Sequence, residues 1–533
     1  MASSLQAAAM VMGGIPSTNA EEVLEAYARA GIRAFLLPGS LLAEPERLAS
    51  LAALARRLVF EAAGSAAGRA FGGAAEGEAL VALGGKSEAR AVSPVSLDLP
   101  SPLCLAAGGE RRAARLAGLF MGRAASSCGV DLVFAPRLDL ATDPKAPGGI
   151  LDLFGEYPQV VADFGAAFMR GMRRGGVAPC ALAFPGCGSL SQDGRRGPPV
   201  LPFTADRIEG AELLPFARLV RGGLPAMLAA RVYVPAFEPG RIPAARSALV
   251  IEGRLRSALG FHGLVIGDAL DEDPEGPGRA AVLGALAGCD LTIALGKGAA
   301  LEAARALAAA AEDGELPAPR LALASRRVRA LLTGLKPVPR RERSLPLHAS
   351  PLAAAFSLRA AERGATVLRA AMQPVGSRAS RGLAAVVFVP PEMQARPEAL
   401  SSCLDALRGQ LPEGSRLYSL PVDPIEGDAL KVLDEIVRGA QGRAQDLDAL
   451  VLSCDAHAKP AQESFIHVLE ESLGAVSLIA LRDPYDAAFF PRSGMLGAVY
   501  GYSSASFRAA ARLAMGLLRE RGRCPVNVLG LEV

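Results

Sequence analysis

The chain has 533 residues, of which 51% are hydrophobic and 21% charged, and its net charge is +3. This length suits two or three domains with ample cores, and the composition is typical of a globular protein rather than a disordered one. The charge is nearly balanced and no basic face is interleaved with aromatic residues, so we expect no nucleic-acid partner.

Cysteine usage and hydropathy favour a cytoplasmic protein without a membrane partner. The eight cysteines are scattered and form no C-x-x-C pair, which is typical of reduced thiols. Residues 1–14 are apolar but lack a positive start, so they indicate a first strand rather than a signal peptide. No stretch approaches the roughly 20 apolar residues of a membrane helix. The absence of tryptophan excludes a long polysaccharide cleft lined with stacking rings, but not a pocket for one sugar.

Strands and helices alternate from the start of the chain to residue 335. We predict a strand at 6–13, a helix from a cap at 17–19 to Ala30, a strand at 34–37, a helix at 45–57 and a strand at 58–61. Later strands are predicted at 132–135, 180–183, 226–230, 264–266 and 291–295. Such an alternation predicts a (β/α)8 barrel, whose active site lies at the carboxyl ends of the strands.

A second domain is predicted after a proline- and arginine-rich linker at 336–350. Alternation resumes over 351–533, with helices near 351–362 and 396–410 and strands at 384–389, 449–453 and 476–480. The predicted bounds are therefore 1–335 for the barrel, 336–350 for the linker and 351–533 for the second domain.

The segment 181–202, A-L-A-F-P-G-C-G-S-L-S-Q-D-G-R-R-G-P-P-V-L-P, resembles the signature loop of glycoside hydrolase family 3 in its β-N-acetylhexosaminidase branch. That loop reads K-H-F-P-G-H-G-D-T, then D-S-H, then a proline-rich exit. The matching positions are Phe184, Pro185, Gly186, Gly188 and Asp193. The departures are Leu182 and Ala183 for the lysine and histidine, Cys187 for the second histidine, Ser189 for the aspartate and Arg195 for the histidine of D-S-H.

Asp268 is the candidate nucleophile. Residues 260–268, G-F-H-G-L-V-I-G-D, resemble the family's G-F-x-G-x-(V/I)-(I/V)-S-D segment, whose aspartate attacks the sugar. An apolar strand that ends in Gly-Asp also places a carboxylate at the catalytic face of a barrel, as a retaining mechanism requires. The alternative is that Asp268 only caps a helix.

The proton donor of such a mechanism is missing from its usual place. Asp193 and Arg195 occupy the family's acid–base dyad, in which the aspartate orients a histidine. Arginine cannot donate the proton, because its pKa stays above about 12. His262 precedes its strand, and the other three histidines lie beyond the barrel. One of them belongs to Asp455-Ala-His457, which repeats the D-x-H spacing but is a weak pattern.

The roles of three further positions are left open by the sequence. Arg231 stands where the family has T-A-H, and with Arg195 and Arg196 it either binds an anionic sugar or phosphate or is a solvated loop charge. Asp139, in A-P-R-L-D, matches the family's A-P-V-x-D and is either a wall of the site or a structural carboxylate. Asp152 falls near the arginine of the family's G-D-R-S-F-G turn.

The resemblance implies a barrel followed by an α/β sandwich, and a retaining hydrolase of N-acetyl-hexosaminides. The altered positions predict weak or altered activity. Two alternatives remain: a non-catalytic sugar-binding or scaffold protein, and a phosphorylase or hydrolase for an anionic sugar. We expect a small sugar as ligand and no cofactor or metal. The sequence does not predict the oligomeric state.

Overall fold

The computed structural model describes residues 2–64, 79–84, 92, 97–143, 149–188, 190, 197–335, 350–370, 375, 382–423, 426–441, 447–473, 475–519 and 521–531. The chain divides into two compact units. The first unit comprises Met1–Leu97, Ala114–Leu153 and Tyr157–Leu347, and the second comprises Asp98–Ala113, Phe154–Glu156 and His348–Val533.

The described residues of the first unit form a closed barrel of parallel strands. In order around the barrel these are β1 (Val11–Gly14), β2 (Ala34–Pro38), β3 (Leu80–Gly84), β4 (Leu132–Arg137), β5 (Ala178–Phe184), β6 (Ala226–Ala229), β7 (Leu264–Gly267) and β8 (Leu291–Ala294). β8 pairs with β1 and so closes the ring. The strands are buried along almost their whole length, as expected when one face fills the barrel and the other is covered by helices. The predicted barrel is confirmed.

Helices connect the strands of the barrel. They span Ala2–Ala8, Ala20–Arg29, Pro45–Gly64, Arg111–Ser127, Pro158–Arg174, Leu213–Arg221, Pro277–Ala287, Lys297–Glu312 and Ala318–Thr333. Two connections contain π-helical segments, Ile208–Glu212 and Leu249–Ala258. The helices Arg111–Ser127 and Pro158–Arg174 pack through glycines: a Cβ on Gly171 would collide with the carbonyl oxygen of Arg115.

Structural contacts hold the amino-terminal end of the barrel together. Leu331 of the helix Ala318–Thr333 belongs to the apolar cluster that fills the barrel. Asp290, directly before β8, is fully buried. Its carboxylate pairs with the guanidinium groups of Arg256 at 3.0 Å, Arg320 at 3.1 Å and Arg327 at 2.9 Å. Polar groups that are open to a ligand are therefore expected at the opposite end, as in other barrels of this type.

The second unit is built on a mixed sheet with the order β11-β10-β12-β13-β14-β9. The strands are β9 (Thr366–Arg369), β10 (Gly382–Val389), β11 (Arg416–Pro421), β12 (Leu447–Ser453), β13 (Ala475–Ala480) and β14 (Met495–Ala498). β9 is antiparallel to β14, and the other pairs are parallel. The helices span Pro102–Ala107, Pro351–Gly364, Pro391–Gln394, Pro397–Arg408, Glu426–Gln441, Pro460–Ser472 and Ser504–Ala514.

One predicted strand is right only in part, and another is wrong. Of the strand predicted at 6–13, residues 6–8 belong to the helix Ala2–Ala8 and residues 11–13 lie in β1. The strand predicted at 58–61 lies inside the helix Pro45–Gly64. The buried residues Leu48, Ala52, Ala55 and Val59 recur every three or four positions, so the helical period continues through the segment that we interpreted as a strand.

The predicted domain bounds remain a prediction, because linker residues 336–349 lie outside the described residues. The short segments Asp98–Ala113 and Phe154–Glu156 group with the second unit, although both precede the predicted boundary. In the described part of the chain, no helix is both long and apolar enough to cross a membrane. All eight cysteines are free, and all but Cys187 are buried.

Candidate active site

Asp268 lies directly after β7, at the carboxyl end of the barrel. Its Oδ1 accepts a hydrogen bond from the backbone N–H of Ala269 at 2.8 Å. Its Oδ2 accepts another from the backbone N–H of Arg231 at 3.2 Å. The second bond links the end of β7 to the end of β6, and the two amides together fix the orientation of the carboxylate. Backbone donors of this kind stabilise negative charge on an aspartate.

The guanidinium group of Arg231 points to the loop after β7. Its Nη1 donates to the carbonyl oxygen of Glu272 at 3.2 Å, and its Nη2 lies 3.8 Å from Oε2 of Glu272. Glu272 is largely exposed, whereas Arg231 is mostly buried. Glu272 therefore supplies a counter-charge for Arg231, which is not a solvated loop charge.

Asp139 connects the end of β4 to the loop after β5. Its buried carboxylate accepts from Nε of Arg137 at 2.6 Å and from the backbone N–H of Cys187 at 2.7 Å. Burial acts to lower the pKa of Arg137, but the negative charges of Asp139 and Asp152 outweigh it and raise that pKa. Arg137 is thus a permanently charged group of the site. Sequence reasoning missed it, although it stands two residues before Asp139 at a strand end.

Cys187 lies among these charged groups. Burial raises the pKa of its thiol well above the usual value, and Asp139 and Asp268 raise it further while Arg137 lowers it. The thiol is therefore protonated at neutral pH and is neither a nucleophile nor a metal ligand in that form. Its interaction with both aspartates places Cys187 on the same side of the barrel as Asp268.

Two contacts support the loop that carries Cys187. A Cβ on Gly188 would collide with the carbonyl oxygen of Leu140, so only glycine allows the loop to approach the end of β4 this closely. On the other side, Glu212 packs beneath Gly186, where a Cβ would lie 3.3 Å from Cγ of Glu212. Glu212 is buried, and its carboxyl oxygens have no hydrogen-bond partner among the residues that the structure describes. No sequence signal identified Glu212, because its environment depends on the π-helical turn that contains it.

The acid–base position itself lies outside the described residues. Ser189, Asp193, Arg195 and Arg196 all belong to this undescribed part of the loop, so their predicted roles remain predictions. Leu182, in place of the family's lysine, is buried in the apolar cluster of the barrel, and Ala183 packs against that cluster. These two positions offer no polar side chain to a sugar.

Histidines are not found at the carboxyl end of the described barrel. His262 lies in the turn before β7, at the opposite end, and His348 is outside the described residues. No group of three or more metal-binding side chains occurs within the described ranges.

The Asp455-Ala-His457 triplet lies in the second unit, and its aspartate does not orient its histidine. Asp455 instead pairs with Arg482 at 3.0 Å. Nδ1 of His457 lies 2.8 Å from Oδ1 of the buried Asp486. This hydrogen bond raises the pKa of His457, against the opposing effect of burial. The D-x-H spacing in the sequence is therefore not a dyad in the structure.

Comparison with known proteins agrees with the barrel. Residues 91–331 match the model of the glycosyl hydrolase family 3 N-terminal domain. A β-hexosaminidase of Thioalkalivibrio sulfidiphilus is 36% identical over 196 residues, which are 34% of this chain and 53% of that protein. A β-hexosaminidase of Alkalilimnicola ehrlichii is 35% identical over 210 residues, which are 37% of this chain and 58% of that protein. The chain thus spans about half the length of the curated relatives it matches.

A solved structure covers both units. The glycoside hydrolase family 3 β-N-acetylglucosaminidase from Paenibacillus sp. str. FPU-7 has a TM-score of 0.82 and covers 98% of each chain. At 23% identity, this likeness concerns the fold alone. It agrees with a barrel followed by a domain of helices and a mixed sheet.

Proposed function

We propose that this chain hydrolyses O-glycosidic bonds of N-acetyl-hexosaminides by a retaining mechanism, at a low rate. The proposal starts from the match of residues 91–331 to the glycosyl hydrolase family 3 N-terminal domain. The observation that carries the proposal is the Asp268 carboxylate, held by two backbone amides at the end of β7. The choice of sugar follows the β-hexosaminidases that match the barrel.

In this mechanism an oxygen of Asp268 attacks the anomeric carbon, and the bond to the leaving oxygen breaks. The leaving oxygen must take up a proton, since an unactivated alkoxide leaves poorly. A water molecule then attacks the same carbon and displaces Asp268. The sugar is released with its original anomeric configuration. The hydrogen bonds from the two backbone amides hold the Asp268 carboxylate in one orientation during both steps. This lowers the entropic part of the barrier.

The proton donor limits the rate. Arg195 stands in the sequence where the family has its histidine, and no histidine lies at the carboxyl end of the described barrel. Loss of a general acid typically lowers the rate by a factor of about 10² to 10⁴. We therefore expect substrates with good leaving groups to react and natural disaccharides to react very slowly.

A second candidate is a sugar-binding or scaffold protein without catalysis. It is favoured by the apolar Leu182 and Ala183 and by the charge pairing of Asp139 with Arg137. Replacing a buried hydrogen-bonding group with an apolar one removes a desolvation cost of about 1–3 kcal/mol. A barrel under no catalytic demand gains stability in this way. The anionic-sugar alternative gains no such support, because Glu272 already pairs with Arg231.

The test compares an aryl N-acetyl-β-glucosaminide with an unactivated N-acetylglucosamine disaccharide. We expect measurable cleavage of the aryl substrate only, and a loss of at least about 10²-fold in Asp268→Asn. Glu275→Gln is the matched control, since this exposed carboxylate lies seven residues further along the same loop and pairs with Arg246. Its rate should stay close to that of the wild type.

Three other outcomes are informative. Fast cleavage of the disaccharide, abolished in Asp268→Asn, would mean that a proton donor exists and that the low-rate proposal is wrong. Cleavage that survives in Asp268→Asn would exclude Asp268 as the nucleophile. Sugar binding without any cleavage of the aryl substrate would support the non-catalytic candidate.

A further inference from the structure

The sheet of the second unit reverses its strand order between β10 and β12. β10 is followed along the chain by β11 on one side of it, and then by β12 on its other side. In open α/β sheets, ligands bind beyond the carboxyl ends of the strands at such a reversal, because the two connecting loops diverge and leave a crevice. Here the crevice is flanked by the ends of β10 and β12, at Val389 and Ser453.

Charged side chains from three loops meet beyond these strand ends. Oδ2 of Asp455, after β12, accepts from Nη1 of Arg482, after β13, at 3.0 Å. About a quarter of each side chain is exposed. Glu392, after β10, contributes to the raised pKa of both Asp455 and Arg482, which places the third loop beside them.

His457 is held with one ring nitrogen inward. Asp486 is completely buried and accepts from Oγ of Ser453 at 2.7 Å, from the backbone N–H of His457 at 3.1 Å and from its ring at 2.8 Å. These bonds fix the ring, and Nε2 has no partner within the described part of the chain. The ring of Phe489 lies 5.8 Å away between centroids, and 45% of that residue is exposed.

We propose that Asp455, Arg482 and His457 form a binding site for a small, neutral, hydroxyl-rich molecule of the sugar class within the second unit. The inward atoms of these side chains are paired. Oδ1 of Asp455, the remaining N–H groups of Arg482 and Nε2 of His457 have no partner among the described residues. Oδ1 of Asp455 is an acceptor and the N–H groups of Arg482 are donors, whereas Nε2 of His457 accepts in the neutral ring and donates in the charged one.

The charges of the cluster select the ligand class. Asp455 pairs with Arg482 and Asp486 with His457, and Glu392 adds an unpaired negative charge, so an anion is disfavoured. A cation is disfavoured as well, because most of the open atoms are donors. A hydroxyl group both donates and accepts, so adjacent hydroxyls satisfy both kinds of atom. The exposed face of Phe489 can cover the apolar face of such a ring.

The test uses histidine resonances in the full-length chain, which contains only four histidines. We expect N-acetylglucosamine or glucose to shift the ring resonances of His457 saturably, with no shift for His467 in the neighbouring helix Pro460–Ser472. Arg482→Gln should weaken this binding by about tenfold or more, since it removes charged donors. Arg492→Gln is the control, because Arg492 is an exposed arginine of the same unit that pairs with Glu471.

Asp455→Asn provides a second variant that keeps the shape of the side chain, and a thermal melt of each variant confirms folding. The proposal is overturned if the His457 resonances do not respond to either sugar, if they respond to inorganic phosphate alone, or if folded Arg482→Gln and Asp455→Asn both bind like the wild type. Asp268→Asn should retain the His457 shift. Failure of the aryl-glycoside assay would therefore leave this site unaffected.

Discussion

Glu212 is a buried carboxyl group beneath the loop of the candidate active site. In the described part of the chain its counter-charge is Nη2 of Arg207 at 3.3 Å, and its oxygens have no hydrogen-bond partner there. Burial raises the pKa of Glu212, and Arg207 offsets part of that effect. The folded protein therefore keeps the proton at pH values where the unfolded chain has released it, so stability is lost as the pH rises through the folded pKa.

We expect Glu212→Gln to unfold at a higher temperature than the wild type at about pH 8, by the equivalent of about 1–3 kcal/mol. The difference should shrink towards about pH 4, below the unfolded pKa, where the carboxyl is neutral in both states. Thermal unfolding across this range measures the effect. Glu209→Gln, an exposed carboxylate of the same π-helical turn, should leave the curve unchanged. Parallel curves for Glu212→Gln and the wild type would contradict the argument.

At the scale of helices and strands, the glycines between two barrel helices make the clearest prediction. Gly118 and Gly122 of Arg111–Ser127 face Gly171 and Gly175 at the end of Pro158–Arg174, and an added Cβ at any of them would meet backbone atoms. Backbone atoms cannot rotate away as a side chain does. We expect Gly171→Ala to destabilise the protein by about 1–3 kcal/mol, measured by denaturant unfolding.

Gly253→Ala is the matched control for this prediction. Gly253 also lies in a helical segment, but an added Cβ there would meet nothing within 4 Å. Alanine should be neutral there or stabilise by about 0.5–1 kcal/mol, because glycine loses more backbone entropy on folding. Equal destabilisation by both substitutions would indicate that close helix packing is not the cause.

For the molecule as a whole, pH acts through the buried acidic cluster of the second unit. Burial, with the charge of Asp486, raises the pKa of Asp483 from 3.8 to about 7. The hydrogen bond to Asp486 raises the pKa of His457 above 6.5. Both groups hold a proton more tightly in the folded state. Their contributions to stability are complete at low pH and are lost as the pH rises through the folded pKa values.

We expect the free energy of unfolding of the second unit to fall between about pH 4 and pH 8, by on the order of a few kcal/mol. Asp483→Asn should flatten the part below about pH 7, and His457→Gln the part above about pH 6.5. Calorimetry at several pH values measures both. A transition that rises over this range in the wild type would mean that other groups dominate.

The sequence predicts those strands of the second unit that are long, buried and apolar. The strands β10, β12 and β13 were predicted because each is a buried run of apolar residues. β9 and β11 lie at the sheet edges with partly exposed residues, and β14 is only four residues long, so none of the three was predicted. Length and apolar runs are visible in a sequence, whereas edge pairing is not.

The same limit applies to the site. Asp268 and Asp139 were identified because both match family segments and both follow strands, whose ends meet at one face of a barrel. The pairings of Arg137 with Asp139 and of Arg231 with Glu272 depend on side-chain direction, which no periodicity encodes. The orienting partner of His457 lies 29 residues away, at Asp486, so the adjacent Asp455 was a misleading neighbour.

The ionic cluster at the amino-terminal end of the barrel has a consequence for the evolution of this protein. Asp290 and its three arginines hold that end together with groups that take no part in the proposed chemistry. Mutations in the loops at the other end therefore leave the main ionic cluster of the barrel untouched. A lineage can drift through altered or lost reactions while its protein still folds, and a library aimed at new glycosides is best confined to those loops.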